Sequence, residues 1–249
     1  MRSFMLIAVL FFALSISAQD VNTQLKEADN LERQLKEENA LAEYKKIAAA
    51  YPDNLTAFVK CAELICRSGS SQKDKIAKLV LYNEADSYAN KALSLDSNSA
   101  DANYVKALAV GKMVEAGIEN KKIAEDVKQM KLYSDKTLAI NPNHAKANYL
   151  EGKWHYDLLS LGLFKKAALK TLYGLPKADI DSAIYYMEKC RKLDQYFVLN
   201  YLDLAKAYKY KERPEQAIEV LAKMVRLPTR TANDIALKEE GKKMLEEMQ

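Results

Sequence analysis

Tyr201-Leu202-Asp203-Leu204-Ala205-Lys206-Ala207-Tyr208, followed by Ala217 to Leu221, is the stretch whose reading decides the fold. Tyr201, Leu204, Ala205 and Tyr208 recur at the three- and four-residue spacing that places side chains on one side of a helix. Ala217 and Leu221 repeat a small and a bulky residue one turn apart in the next run. Small residues such as Ala205 and Ala217 let two antiparallel helices approach closely, while the large ones fill the groove beside them. The unit is a helical hairpin.

Working upstream, the same order of aromatic, aliphatic, charged and usually small residue returns at Phe58-Val59-Lys60-Cys61, Tyr104-Val105-Lys106-Ala107 and Tyr149-Leu150-Glu151-Gly152. Asn103, Asn148 and Asn200 precede three of the four tetrads. Each tetrad follows a turn, at Tyr51 to Asn54, Leu95 to Asn98, Ile140 to Asn143 and Leu193 to Tyr196; a fifth turn, Leu227 to Arg230, closes the last unit. Equivalent turn positions Pro52, Ser97, Pro142, Gln195 and Pro228 lie 45, 45, 53 and 33 residues apart. The last interval is essentially the 34-residue tetratricopeptide period, and the longer ones imply inserted turns of helix. One such hairpin cannot bury its apolar face alone, so the units must stack.

The expected fold class is all-α: a tetratricopeptide-like α–α superhelix of about five helical hairpins with a C-terminal capping helix. Helices are expected as pairs near 20–37 and 39–50, 55–68 and 75–95, 100–117 and 120–139, 145–172 and 179–192, and 197–210 and 214–226, then a cap near 231–248. Ser68-Gly69-Ser70-Ser71 reads as a loop inside the second unit. Only 7 Gly and 5 Pro among 249 residues starve the chain of the punctuation that many short strands need.

Residues 1–18 read as an export signal, with Arg2, the apolar run Phe4 to Ile16, and small residues Ser17-Ala18 for cleavage. The helical repeat domain then occupies 19–249, and the expected location is the periplasm. The charges, 38 basic against 34 acidic, are interleaved rather than gathered on one basic face, which argues against nucleic acid as a partner. Cys61 and Cys66 are five apart and point in different directions on a helix; with Cys190 they read as small apolar fillers.

The order Glu151-Gly152-Lys153-Trp154-His155-Tyr156, then Leu161 to Lys166, Leu172-Tyr173-Gly174 and Pro176, continuing into Ala183-Ile184 and a helix ending Glu188 to Leu193, resembles the regulator of microtubule dynamics family. The likeness covers about residues 75 to 248 and departs from the family at Glu151, where an aliphatic residue is usual. It implies a helical scaffold. A microtubule-associated adaptor, as among eukaryotic members, is an alternative that the export signal opposes.

Candidate partner-binding residues are Asn103, Asn148, Asn200 and Lys153, on first helices that would line the concave side. An amide there can serve a peptide backbone, or it can cap free helix amides. Around 158–177 a basic, apolar insert carries Phe164, Lys165, Lys166 and Lys170. It reads as an extra helix over the superhelix, a lid on a peptide groove, or an amphipathic segment on anionic lipid that would make the protein a membrane-surface adaptor. Tyr104, Tyr149, Gly152, Trp154, Tyr201, Ala205, Tyr208 and Ala217 are assigned to packing. The chain lacks a Gly-rich phosphate loop, a His-Glu-x-x-His helix and a nucleophile elbow, so the expectation is no catalytic site, no cofactor, no metal, and a protein or peptide partner.

Overall fold

The computed structural model describes residues 20–116, 120–160, 174 and 177–249. The export signal, the far end of the helix expected over 145–172, and with it Phe164, Lys165, Lys166 and Lys170 lie outside the described residues. Among the described residues there are helices and turns and no strands. Five hairpins follow in order: α1 (20–33) with α2 (Glu37–Ala50), α3 (Leu55–Ser71) with α4 (Lys75–Leu95), α5 (Ala100–Ala116) with α6 (Asn120–Ile140), α7 (Ala145–Ser160) with α8 (Ile180–Leu193), and α9 (Val198–Tyr210) with α10 (Pro214–Met224). A last helix, α11 (Asp234–Glu246), packs on α9 and α10.

The helix lengths account for the uneven repeat. α9 and α10 have 13 and 11 residues, whereas α3 and α5 have 17 and α4 and α6 have 21. Those extra turns stretch the interval to 45 without changing the hairpin. The short hairpins turn through a single left-handed residue, Leu35 (φ 61°) or Glu212 (φ 58°). The amide one residue on then reaches back to Leu31 O (3.0 Å) or Tyr208 O (2.9 Å). Both ends of the stack thus close their helices by the same C-terminal motif.

First helices pack on their own partners and on the next first helix: α3 on α4 and α5, α5 on α6 and α7, α7 on α8 and α9. The apolar core runs the length of the stack as three groups of buried residues, with Val59, Tyr88 and Leu108 packed against two of them. Burying side chains such as Tyr44, Leu64, Trp154, Leu204 and Leu221 stabilises the stack by roughly 1.5–3 kcal/mol each. Trp154 also donates its indole N–H to Val127 O at 3.1 Å, which ties α7 to α6. Tyr104, Tyr149, Tyr201, Ala205, Tyr208 and Ala217 are all buried.

The loop expected at Ser68-Gly69-Ser70-Ser71 is instead the last turn of α3. Ser70 Oγ donates to Cys66 O one turn back (3.0 Å), and a Cβ on Gly69 would sit 2.4 Å from the Tyr82 ring. The glycine is there for the close approach of α4. The chain breaks three residues later, where Gln72 is extended and Asp74 caps Ala77 N of α4 at 2.8 Å.

Gly152 serves the same purpose for α7 and α8. A Cβ there would lie 2.7 Å from Met187 Cγ and 2.8 Å from the Ala183 carbonyl oxygen, and backbone cannot yield as a side chain can. Gly152→Ala therefore forces the two helices apart. Overpacking of about 1–3 kcal/mol is set against roughly 1 kcal/mol of gained helix propensity. A net fall in the urea unfolding midpoint is expected; a midpoint at or above wild type would refute the contact.

Candidate functional site

The first helices α5, α7 and α9 are enclosed rather than half-buried. Residues 102–107, 147–152 and 200–205 are each buried without interruption, which in a helix means burial on every side. Whatever polar groups these runs carry must therefore find partners within the protein.

The amide nitrogens of the three candidate asparagines do so, while Asn148 Oδ1 and Asn200 Oδ1 have no hydrogen-bond partner among the described residues. Asn103 Nδ2 donates to Ser97 O (2.9 Å) and Ser99 O (2.8 Å), and Asn148 Nδ2, 45 residues on, donates to Pro142 O (3.1 Å) and His144 O (2.9 Å). Asn200 Nδ2 reaches Met187 O of α8 at 3.0 Å. At 1%, 0% and 0% exposure none of them faces the groove, and the expectation that they contact a partner is corrected. Nor do they cap free amides. That role falls to Asn54, Ser99 and His144, again 45 residues apart, which accept from Ala57 N, Ala102 N and Ala147 N. Asn103 and Asn148 hold the incoming turn against the first helix, each bonding a turn carbonyl oxygen and the Ser99 or His144 carbonyl oxygen that also accepts from its own backbone amide, whereas Asn200 ties α9 to α8.

The charged residue of each tetrad is paired with a preceding helix. Lys60 meets Glu32 of α1 (2.8 Å), Lys106 meets Asp86 of α4 (2.6 Å), and Glu151 meets Lys131 of α6 (3.1 Å). The last two pairs occupy equivalent positions with opposite signs, since Asp86 and Lys131, like Lys106 and Glu151, are 45 apart. The unusual Glu151 is thereby explained: Lys131, which also lies 5.6 Å from the Trp154 ring, supplies its counter-charge.

Along the face shared by α3, α5, α7 and α9 these charges extend into two groups. At one end Glu63 accepts from the Tyr104 hydroxyl (3.1 Å) and pairs with Lys146, while Arg67 bridges Glu32 (3.2 Å) and Glu37 (3.1 Å). At the other, Lys153 bridges Asp157 (2.9 Å) and Glu115 (3.5 Å), Lys112 pairs with Glu115 (2.9 Å), and Tyr149 donates to Asp203 (2.8 Å). Lys206 continues the line to Glu240 of α11 at 2.9 Å. Lys153, a candidate from the sequence, is thus a hub among carboxylates. Burial opposes its charge, but Asp203, Asp157 and Glu115 outweigh that and raise its pKa.

Two depressions open between successive first helices on this face. One, of about 210 Å³, is lined by Leu55, Thr56, Lys60, Asp101, Tyr104 and Lys146, among others. The other, of about 510 Å³, is bordered by Tyr156, Lys206, Lys209, Tyr210, Lys243 and Glu247. His144, beside the first, accepts from Ala147 N through Nδ1, so its Nε2 carries the proton and donates to Asp101 (3.1 Å). That arrangement is a cap, not a base. Cys61, Cys66 and Cys190 are free and buried, and burial raises all three thiols, Cys61 to about 12. They are poor nucleophiles. Among the described residues no group of His, Cys, Asp and Glu is placed to hold a metal, and no helix is long and apolar enough to cross a membrane.

Stacked hairpins with enclosed first helices, turned by small residues at each close approach, define a tetratricopeptide-type superhelix. The likeness to solved structures agrees. A tetratricopeptide protein of Thermus thermophilus, TTC0263, superposes with a TM-score of 0.61 at 15% identity, covering 90% of this chain and 98% of that one. The type IV pilus biogenesis factor PilW gives 0.53 at 17% identity, covering 92% and 90%. Residues 24–249 match the family described as regulator of microtubule dynamics protein 1-3, and the chain belongs to that family. The match takes in the N-terminal hairpins that the sequence resemblance, from about residue 75, had left out. Regulator of microtubule dynamics protein 1 of Caenorhabditis elegans is 27% identical over 187 residues, 75% of this chain and 80% of that protein.

The charged face makes a pH prediction with two opposite signs. Burial would raise Glu63, yet Lys146, Arg67 and Lys60 hold it at about 2, below its ordinary 4.5. Its ionised form therefore stabilises the fold above pH 4.5, and that stability is lost as the pH falls toward 2. Burial raises Asp157 from 3.8 to about 6 against the pull of Lys153, with Asp203 and Glu115 adding to the rise. Although 37% of its side chain meets solvent, this carboxylate lies among the others, and its ionised form costs stability above pH 6 that is relieved as the pH falls toward 3.8. In urea titrations Glu63→Gln should flatten the acid limb below pH 4.5, and Asp157→Asn should abolish a gain in stability between pH 6 and 4. Both variants running parallel to wild type from pH 2 to 7 would refute this electrostatic account.

Proposed function

We propose that the protein is a non-catalytic scaffold that holds a polypeptide partner along the first-helix face, and that it works in the cell envelope after removal of residues 1–18. One observation carries the reading: the face shared by successive first helices is lined by charges of alternating sign and opens into two depressions that lie between helices. Basic Lys60, Arg67, Lys112, Lys153 and Lys206 alternate with acidic Glu63, Glu115, Asp157 and Asp203 along it. Such a wall suits an extended segment of mixed charge, whose groups can exchange with the resident ion pairs, better than it suits an apolar ligand. The nematode relative's name refers to microtubule dynamics. Carrying that role over requires a cytosolic protein, which the apolar N-terminal run opposes.

The test uses residues 20–249 as bait in an envelope extract. Thr56 and Lys209 are exposed at the two depressions, as is Lys243, so their substitution leaves the core intact. Thr56→Arg and the pair Lys209→Glu/Lys243→Glu should each lower recovery of a specific partner by about tenfold, the loss of roughly one good contact. Recovery equal to wild type from both would overturn the assignment of this face. Mass spectrometry of the native protein should find a mature N-terminus at Gln19 or Asp20; an intact Met1 in a cytosolic fraction would end the envelope proposal.

A further inference from the structure

The two ends of the stack touch. Ala232 N donates to Glu37 Oε1 (2.9 Å), Asn233 Nδ2 donates to the Arg67 carbonyl oxygen (3.2 Å), and Ser71 Oγ donates to Asn233 Oδ1 (2.7 Å). These bonds join the second and third helices to the segment entering the last one, across 162 to 195 residues of sequence. The segment is pre-shaped for the contact. Asp234, 4% exposed, accepts from Arg230 N (2.7 Å), Thr231 N (2.9 Å) and Thr231 Oγ1 (2.7 Å), which fixes the turn that presents Ala232 and Asn233. On the other side Arg67 holds the same Glu37 oxygen at 3.1 Å. Both halves are thus ordered by bonds of their own before they meet.

We propose that this contact is a latch: it closes the superhelix into a ring around the charged first-helix face, and its opening exposes that face without unfolding the hairpins. This rests on the reading of the face as a binding surface, and it adds a regulated entrance to it. Three features support a latch over a permanent weld. The contact is polar, whereas the hairpins are joined to one another through apolar core. It is made by a turn and helix ends, the parts of a fold that open at least expense to the rest. Removing it also orphans no buried charge, because Arg67 keeps Glu32 at 3.2 Å and Asp234 keeps its own turn. On the face the ring would enclose, the side chains of Lys112 and Lys153 are only 14% and 15% exposed.

The experiment needs no partner. Spin labels on Gln72→Cys and Ile235→Cys, both exposed and flanking the latch, report its opening by electron–electron distance measurement. In the otherwise wild-type chain a narrow, short distance is expected. Adding Glu37→Gln/Asn233→Ala should lengthen and broaden it. Without the labels, the same pair of substitutions should speed acylation of Lys112 and Lys153 by an amine reagent about tenfold, the scale of one lost hydrogen-bonded contact, while helical circular dichroism is unchanged. Ser71→Cys/Asn233→Cys, oxidised, should slow that acylation below wild type and recover on reduction. An unchanged label distance in the opened variant, or acylation indifferent to oxidation of the cysteine pair, would overturn the latch. Should Glu37→Gln/Asn233→Ala lose helicity, the cysteine pair decides alone. Failure here leaves the scaffold reading intact, and failure of the pull-down leaves the latch intact.

Discussion

The structure depends on one constraint: the first helices α5, α7 and α9 are enclosed on all sides, yet they carry charge. An amphipathic surface helix keeps its ionised groups in water, and their pairing is then worth little. Residues 102–107, 147–152 and 200–205 have no such side. Lys106, Glu151 and Asp203 are stable there because each has a fixed counter-charge or hydroxyl donor from a neighbouring helix. A buried charge that lost its partner would cost about 3–5 kcal/mol, so the pairs fix which helices neighbour which, while the apolar core supplies most of the stability. Register between hairpins is set by polar groups.

This explains why equivalent pairs can exchange signs. Asp86 with Lys106 and Lys131 with Glu151 occupy one geometry in consecutive repeats, with donor and acceptor reversed. The geometry demands opposite charges across the α4–α5 and α6–α7 boundaries and is indifferent to which helix supplies which. Glu151 therefore departs from an aliphatic pattern without breaking the packing. Reversal also discourages slippage, because a hairpin displaced by one repeat would set Lys106 against Lys131, or Asp86 against Glu151.

The repeat was legible in the sequence because it is written twice, in the tetrads and in the turns. The 45-residue intervals correctly indicated longer helices, and the helix limits that fall on described residues came within a few residues except where local chemistry misled. Ser68-Gly69-Ser70-Ser71 has the composition of a loop, but its glycine answers to Tyr82 on the facing helix, a partner that composition does not reveal. Asn103, Asn148 and Asn200 were legible as a repeated feature and not as to purpose. An amide near a helix start suits a groove, a cap or a turn equally well, and burial, which decides among them, is a property of neighbouring hairpins. The charged face was the least visible. Lys153 stood out, but its partners Glu115 and Asp203 lie 38 and 50 residues away on other helices, and no local pattern joins them.

Closure of the stack and the charges inside it depend on each other. In an open rod the carboxylates and ammonium groups between α3 and α11 would be hydrated, and each pairing would be weak and mobile. Bringing the ends together thins the water over that face, which strengthens every attraction along it and makes every unpaired charge more costly. The opposed shifts of Glu63 and Asp157 follow: Lys146, Arg67 and Lys60 hold Glu63 ionised against burial, whereas at Asp157 burial, with Asp203 and Glu115 adding to it, outweighs Lys153. A ligand entering such a ring meets partners already engaged, so its groups must replace resident ones pair for pair. Selectivity would then come from matching the order of charges along the wall, and a segment that matched only part of it would leave buried charges unpaired, which a closed ring tolerates least.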